Sequence, residues 1–164
     1  MKILFLQPPL GAWATWGTTK SINIGHAQLA GYLREHNPEL ELVALDCRAL
    51  DLNDAQMLER VGQIKPDVLY VGDILHTTGG LAVVWIYNEA ARKVKEKYPH
   101  IKTVVGGIFY ASASEFTMKE NPHLDFCIAG EAEATLSDLM KEIAKSGPDF
   151  STVKGICWRQ GGQI

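Results

Sequence analysis

Cysteine is scarce in this chain of 164 residues, and its three cysteines, Cys47, Cys127 and Cys157, lie far apart. The sequence contains no CxxC pair and no cluster of cysteine with histidine. Zinc and iron–sulfur sites are therefore excluded within these residues, because both need closely spaced thiolate or imidazole ligands. We interpret the three cysteines as buried, reduced thiols.

Long hydrophobic runs and concentrated positive charge are missing as well. No stretch approaches the ~20 apolar residues that a membrane span requires. The apolar run at the start breaks at Gln7-Pro8-Pro9, too early for a signal peptide. We therefore expect a cytoplasmic protein without a membrane span. The net charge of -3 also argues against a nucleic-acid partner, since phosphate binding needs a concentrated basic surface.

Several motifs of nucleotide-binding and phosphate-accepting α/β proteins are absent. The turn after the first apolar run reads QPPLG instead of GxGxxG, and there is no P-loop. A receiver domain would need acidic residues after the first strand and a lysine after the fifth, and both are missing. A flavodoxin would hold the phosphate of FMN in a compact Ser/Thr loop. The segment 16–19 is a faint version of that loop, within a connection that is too long.

Short apolar runs alternate with amphipathic segments along the chain. The runs predict strands at Lys2–Leu6, Leu40–Leu45, Val68–Val71, Lys102–Val105 and Leu124–Ile128. The segments between them predict helices at Ile22–His36, Asp54–Ile64, Leu81–Tyr98, Ser112–Glu120 and Glu133–Lys145. This alternation predicts an α/β fold with a doubly wound parallel sheet, most simply the flavodoxin-like order 2-1-3-4-5.

The last residues have a different character. Residues 153–164 read as a strand that enters a Gly-rich turn, and the chain stops where a returning strand should begin. We expect an α/β domain over residues 1–150. Residues 151–164 would form a C-terminal β extension or linker, in a fragment of a longer protein.

Two loops should meet where the strand order of such a sheet reverses, between strands one and three. The loop from Gln7 to Asn23 is far longer than the usual 2–6 residues. Its two indoles and several hydroxyls suit either a large, flat ligand or a lid packed on another domain. These candidate residues are Gln7, Pro8, Trp13, Trp16, Thr18 and Thr19.

The second loop, from Asp73 to Gly80, contains Asp73, Ile74, Leu75, His76, Thr77 and Thr78. His76 can ligate a metal, transfer a proton or hydrogen-bond a neighbour. Asp73 and His76 can also form an acid–base pair, which leaves a small enzyme as one alternative.

Glycines mark two further strand ends. A tight strand exit explains one glycine of Gly106-Gly107, whereas two in succession suggest that a ligand passes over the backbone. Gly130 and Glu131 precede the last helix, where early acidic residues favour the helix dipole.

An ordered set of segments carries a family resemblance. These segments are KILFLQPP at 2–9, LAGYLR at 29–34, PDVLYVG at 66–72, VVGG at 104–107 and DFCIAGEAEATL at 125–136. Together they resemble the N-terminal cobalamin-binding domain of B12-dependent radical SAM enzymes, over nearly the whole chain. The ending GICWR at 155–159 resembles that family's junction to its radical SAM barrel, whose CxxxCxxC motif is absent here.

The resemblance implies that cobalamin lies over the C-terminal ends of the strands, with its nucleotide tail between strands one and three. The DxHxxG motif of other B12 domains is missing, which implies base-off binding without that histidine ligand. Leu75 or His76 would then face cobalt from below. Contacts are implied for the two loops and for Gly106, Gly107, Phe109, Gly130 and Glu131.

The resemblance also implies a larger enzyme. A radical SAM domain in the same chain would add a 4Fe-4S cluster and S-adenosylmethionine. The most frequent outcome is methyl transfer, and ring formation is another, while the domain alone would catalyse nothing. An alternative is a docking module of the same fold that has lost cobalamin.

Overall fold

The computed structural model describes residues 1–11, 23–73 and 80–164, apart from the side chains of residues 73 and 80–82. Its strands are β1 Lys2–Gln7, β2 Glu41–Asp46, β3 Val68–Asp73, β4 Lys102–Gly107, β5 Phe126–Ile128 and β6 Ile156–Trp158. They form one sheet in the order β2-β1-β3-β4-β5-β6. The first five strands are parallel, and β6 pairs antiparallel to β5. The predicted flavodoxin-like order and C-terminal β extension are confirmed.

Six α-helices connect or flank these strands among the described residues. They are α1 Ile24–His36, α2 Asp54–Ile64, α3 Gly80–Lys97, α4 Ile108–Ser112, α5 Ser114–Glu120 and α6 Ala132–Ile143, and a 3-10 turn follows at Phe150–Thr152. Within the described part of the chain, no helix is both long and apolar enough to cross a membrane.

The bounds of α2 agree with the sequence prediction because its ends carry strong local signals. Asn53 and Gln56 cap the helix reciprocally, each side chain accepting the other's backbone N–H at 3.0 Å. At the other end, Lys65 adopts a φ of 53° and Pro66 follows. Both features stop helical hydrogen bonding.

The predicted helix Ser112–Glu120 is wrong in extent. The structure has two short helices that meet at Ala113, whose φ of -138° is not helical. The hydroxyl of Ser112 donates to the carbonyls of Ile108 and Phe109, at 3.3 and 3.2 Å. Such side-chain bonds offer the backbone an alternative to continuing the helix.

Helices cover the sheet on both faces, because neighbouring residues of a strand point to opposite sides. On one face, a cluster that includes Ile3, Phe5 and Tyr70 packs against α1 and α6. On the other, a cluster that includes Leu4 and Val71 packs against α2, α3 and the short helices. The near-continuous apolar character of β3 thus reflects burial on both sides.

The parallel strands all end at one edge of the sheet, and this edge positions the candidate site. Gln7 lies opposite Asp46 there, and Gly72 lies opposite Gly106. The C-terminal residues reach the sheet beside β5, and Gln160 and Gln163 close a turn by mutual backbone hydrogen bonds. The division of the chain at residue 150 stays a prediction.

Candidate functional site

Many predicted site residues lie outside the described part of the chain. This holds for Trp13, Trp16, Thr18, Thr19, Ile74, Leu75, His76, Thr77 and Thr78, and for the side chain of Asp73. The remaining candidates are Gln7, Pro8, Gly106, Gly107, Phe109, Gly130 and Glu131, and all of them lie at or near the carboxyl edge of the sheet. The described geometry therefore concerns the strand ends and helices that come before and after residues 12–22 and 74–79 in the chain.

One cavity brings several of these candidates together. It has a volume of about 230 Å³ and opens between the ends of β4 and β5 on one side and α1 and α6 on the other. We call it the edge cavity. Its lining comprises Gln28, Leu29, Tyr70, Gly107, Ile108, Ala111, Gly130, Glu131, Ala132 and Glu133. Three of the predicted site residues thus share one concave surface, which is where a ligand of an open α/β sheet is expected.

The walls of the edge cavity are mainly apolar, with acidic groups at its mouth. Its lining contains Glu131 and Glu133 and no lysine or arginine. Gln28 ties the α1 wall to the α6 wall by donating to Glu133 at 2.6 Å. This lining suits a neutral, flat group better than a phosphate, because a phosphate beside two carboxylates would be repelled.

The glycine pair ends β4. Gly106 and Gly107 belong to the strand itself and do not form a turn after it. A Cβ at Gly106 would lie 2.6 Å from the hydroxyl oxygen of Tyr70, so the packing of that side chain requires a glycine there. Contact of the pair with a ligand stays a prediction. Gly107 has a φ of 123°, which turns the chain into α4 and which side-chain-bearing residues rarely adopt.

Three aromatic rings fill the space between β1, β3 and α1. Phe5, His26 and Tyr70 lie with ring centroids 5.5 to 5.7 Å apart. The implied path of a cofactor tail between β1 and β3 stays a prediction, because residues 12–22 and 74–79 of the adjoining loops lie outside the described residues. Among the described residues this position holds side chains, and the edge cavity lies one strand further along.

His26 is the unusual member of this aromatic trio. It is only 7 % exposed, and its Nε2 has no hydrogen-bond partner. Burial lowers the pKa of His26 from 6.5 to about 4, so the ring is neutral at physiological pH. The sequence signal for its burial was its spacing from Leu29 and Leu33, which places a histidine on the apolar stripe of α1.

A polar cluster holds the end of β1. Gln7 is 5 % exposed, and its Oε1 accepts from Asn23 Nδ2 at 2.7 Å and from the Tyr87 hydroxyl at 3.0 Å. Asn23 also caps α1, accepting from His26 N at 3.0 Å. Next in the chain, the carbonyl of Pro8 accepts from Arg48 Nε at 3.1 Å.

Sequence reasoning missed Asn23 and Tyr87 as the hydrogen-bond partners of Gln7. The capping rule could have found Asn23, but nothing local indicates Tyr87.

Two apolar side chains stand exposed where β4 leads into α4. Ile108 is 61 % exposed and Phe109 is 40 % exposed. Such surface beside a cavity is suited to contact with an apolar ligand or with another part of a larger protein.

The described residues offer no metal centre of their own. Among residues 1–11, 23–73 and 80–164, no three His, Cys, Asp or Glu side chains are grouped to hold a metal ion. Cys47 and Cys127 are buried, and burial raises the pKa of each to about 12. All three cysteines are free thiols, but Cys157 is only half-buried, so the prediction of a buried thiol is wrong at that position.

The comparison with protein families decides the classification. The family model described as the B12 binding domain matches residues 18–140, about three quarters of the chain. The chain belongs to the B12-binding domain family. Its fold, its carboxyl-edge cavity and the segments quoted from its sequence all agree with this assignment.

Two curated relatives show where such domains occur. The chain is 27% identical, over 165 residues, to the anaerobic magnesium-protoporphyrin IX monomethyl ester cyclase of Synechocystis sp., covering 100% of this chain and 32% of the relative. It is 26% identical, over 136 residues, to the cobalamin-dependent radical SAM methyltransferase TokK of Streptomyces tokunonensis, and this match covers 81% of this chain and 19% of the relative. The chain thus spans a third or less of the length of these relatives.

A solved structure shows the same fold. The radical S-adenosylmethionine methyltransferase TsrM of Kitasatospora setae, with cobalamin and a [4Fe-4S] cluster bound, superposes with a TM-score of 0.70. The match covers 98% of this chain and 27% of the other at 16% identity. At this identity the likeness concerns the fold of the B12-binding domain.

Proposed function

We propose that this domain binds cobalamin base-off, as the cofactor module of a radical SAM methyltransferase or cyclase. The edge cavity is the observation that carries the proposal. It lies at the edge where the family holds its ligand, and its apolar walls and lack of basic residues suit the neutral benzimidazole of the nucleotide tail.

The residues around the cavity divide into two groups. Gly107, Gly130 and Ala111 would leave room for the benzimidazole of the tail, with Tyr70 and Leu29 as the floor, while the phosphodiester of the tail would stay outside the cavity. Ile108 and Phe109 would offer apolar contact to the corrin above the edge, where a large macrocycle gains affinity mainly from apolar area.

Base-off binding would follow from the position of the tail, since a benzimidazole placed in the edge cavity would be held away from the corrin centre. His26 does not offer a replacement ligand, because its Nε2 is buried beside the rings of Phe5 and Tyr70. When bound, cobalamin supplies a cobalt centre that can carry and transfer a methyl group.

The larger enzyme is part of the same proposal. The first relatives are about three times as long as this chain, which leaves room for a domain carrying a 4Fe-4S cluster and S-adenosylmethionine. In this arrangement the described residues bind and orient the cofactor, and none of them acts on the final substrate.

The test is retention of hydroxocobalamin by the purified chain. After gel filtration, the visible spectrum should show about one corrin per folded chain. Ala111→Trp, which fills the edge cavity, should reduce retention at least tenfold. Glu115→Trp, at an exposed position of the neighbouring helix α5, should leave it unchanged. A folded wild-type chain that retains no corrin would favour a docking module without cofactor.

A further inference from the structure

The sheet has two edge strands, and they differ in length and in protection. At one edge, β6 spans only the three residues Ile156–Trp158. At the other edge, β2 spans the six residues Glu41–Asp46 and pairs with β1 alone among the described strands. Residues 42–45 of β2 read LVAL and include neither lysine nor proline, which often prevent the pairing of edge strands. The β2 edge is therefore suited to pairing with a further strand.

The backbone groups on the open side of β2 belong to alternate residues. The N–H of Glu41 donates to the carbonyl of Met1 at 3.0 Å, so Glu41 directs its backbone groups toward β1. Because this direction alternates along a strand, the N–H and C=O groups of Leu42 and Ala44 point away from β1. Ala44 is exposed, which leaves the middle of this edge accessible.

An arginine and an aspartate lie at opposite ends of a cleft beside this edge. The cleft lies between α1 and β2, has a volume of about 240 Å³, and is lined by Arg34, Leu42 and Asp46 among others. Because α1 returns the chain toward the amino end of the sheet, Arg34 lies near Leu42, at the end of the cleft away from Asp46.

The two charged groups at the ends of this cleft are available to a partner. Arg34 is exposed, and none of the ion pairs among the described residues includes it. Asp46 uses its Oδ1 to accept from the backbone N–H groups of Arg48 and Ala49, at 3.0 and 2.9 Å, and its Oδ2 remains to accept from a cation.

We propose that two copies of this chain pair β2 with β2 in an antiparallel arrangement, about a two-fold axis through Ala44. In this register Ala44 lies opposite itself, and Leu42 lies opposite Asp46 of the second copy. Arg34, which lies at the Leu42 end of the cleft, then meets the second copy's Asp46. The symmetry forms this ion pair twice and joins the two sheets into one.

The positions of the charges select this register. Glu41 lies opposite Cys47 of the second copy, so no two carboxylates face each other across the junction. An axis through Val43 would place Asp46 opposite Leu40 of the second copy, outside the cleft, and would lose both ion pairs. The sequence of β2 and the position of α1 therefore fit a second copy of the same strand.

Sedimentation of the cofactor-free chain over a series of micromolar concentrations tests the association. The mass should rise with concentration toward twice the 18.1 kDa of one chain and then stay constant, because the two-fold pairing is closed. A chain that stays monomeric throughout would overturn the proposal and assign the edge to a different protein. Growth beyond a dimer would also overturn it.

Matched charge reversals test the ion pairs. Arg34→Glu should weaken dimerisation about tenfold, because repulsion replaces attraction at two symmetric contacts. Lys154→Glu, an equal charge change at an exposed position beside β6, should leave it unchanged. Equal weakening in both variants would show an effect of net charge and would overturn the assigned pairs.

A second pair of variants tests the axis. Ala44→Lys places two like charges opposite each other and should weaken dimerisation at least tenfold. Ala134→Lys, at an exposed position of α6, should not. Circular dichroism would show that both variants are folded. A folded Ala44→Lys protein that dimerises like the wild type would overturn the register.

Amide hydrogen exchange followed by NMR locates the interface. The amides of Leu42 and Ala44 should exchange slowly at concentrations that give the dimer and rapidly in the monomer. The amide of Val43, which faces β1, should be protected in both. A dimer in which the Ala44 amide exchanges as in the monomer would overturn the proposal. These measurements need no cobalamin, so their outcome is separate from that of the proposed function.

Discussion

Lowering the pH should destabilise this fold mainly through the side chain of His26. The ring is enclosed by Phe5 and Tyr70, where an imidazolium would lack water. Burial is the largest cause of its low pKa of about 4, and the nearby Arg48 adds to it. The Gly72 carbonyl and Asp46 oppose the shift without overcoming it.

The sign and size of the change in unfolding free energy follow from the linkage between proton binding and folding. The folded pKa of His26, about 4, lies below its unfolded value of 6.5, so the unfolded chain binds more protons between these pH values. Stability is therefore full above pH 6.5 and falls as the pH drops toward 4. The whole difference corresponds to about 3 kcal/mol, of which about 2 kcal/mol is already lost at pH 5.

Urea unfolding followed by circular dichroism measures this effect. Between pH 7.5 and pH 5, the wild-type midpoint should fall by about 1 M, given a typical urea dependence. His26→Phe, which keeps an aromatic ring and has no group to protonate, should lose most of that decrease. His100→Gln, at an exposed position, should keep it. His123, whose pKa burial also lowers, contributes equally in all three proteins. A His26→Phe protein with the wild-type pH dependence would refute the reasoning.

Three other substitutions test the framework by the same unfolding assay. Gly106→Ala should cost about 1–3 kcal/mol by overpacking, and Tyr70→Phe should cost less stability in that background than in the wild type, because the removed hydroxyl lies 2.6 Å from the new Cβ. An equal cost of Tyr70→Phe in both backgrounds would contradict the assigned clash. Asn53→Ala should cost about 1 kcal/mol through loss of the capping box of α2. Asp125→Ala should cost about 1–3 kcal/mol, since the carboxylate accepts from Thr103 N at 2.8 Å and from Lys95 Nζ at 2.7 Å. No loss in either of the last two would argue against those bonds.

The sheet could be predicted because its signals are local and repeated. Val68–Val71 is apolar at every position, which indicates a strand covered on both faces, and α2 begins and ends at residues with strong capping or helix-breaking chemistry. The strand ends were harder. Gly72 and Gly106 resemble loop residues, yet they pair within the sheet. Glycine is needed at Gly72 because a Cβ there would lie 2.0 Å from the Gly106 carbonyl oxygen.

The candidate site could be predicted only in outline. Its edge follows from the strand order, and Gly107, Gly130 and Glu131 do meet at one cavity. The contacts that shape it join residues far apart in sequence, such as Tyr87 and Gln7, which are 80 positions apart. Periodicity and turn chemistry contain no information on such pairs, since both act over a few residues.

The most direct test of the account compares cobalamin with cobinamide, the corrin that lacks the nucleotide tail. If the tail occupies the edge cavity, wild-type protein should bind cobalamin at least tenfold more tightly than cobinamide, and Ala111→Trp should abolish the difference. The bound cobalamin should also show the visible spectrum of its base-off form. Equal affinity for the two corrins in the wild type, or a base-on spectrum, would contradict the proposed binding mode.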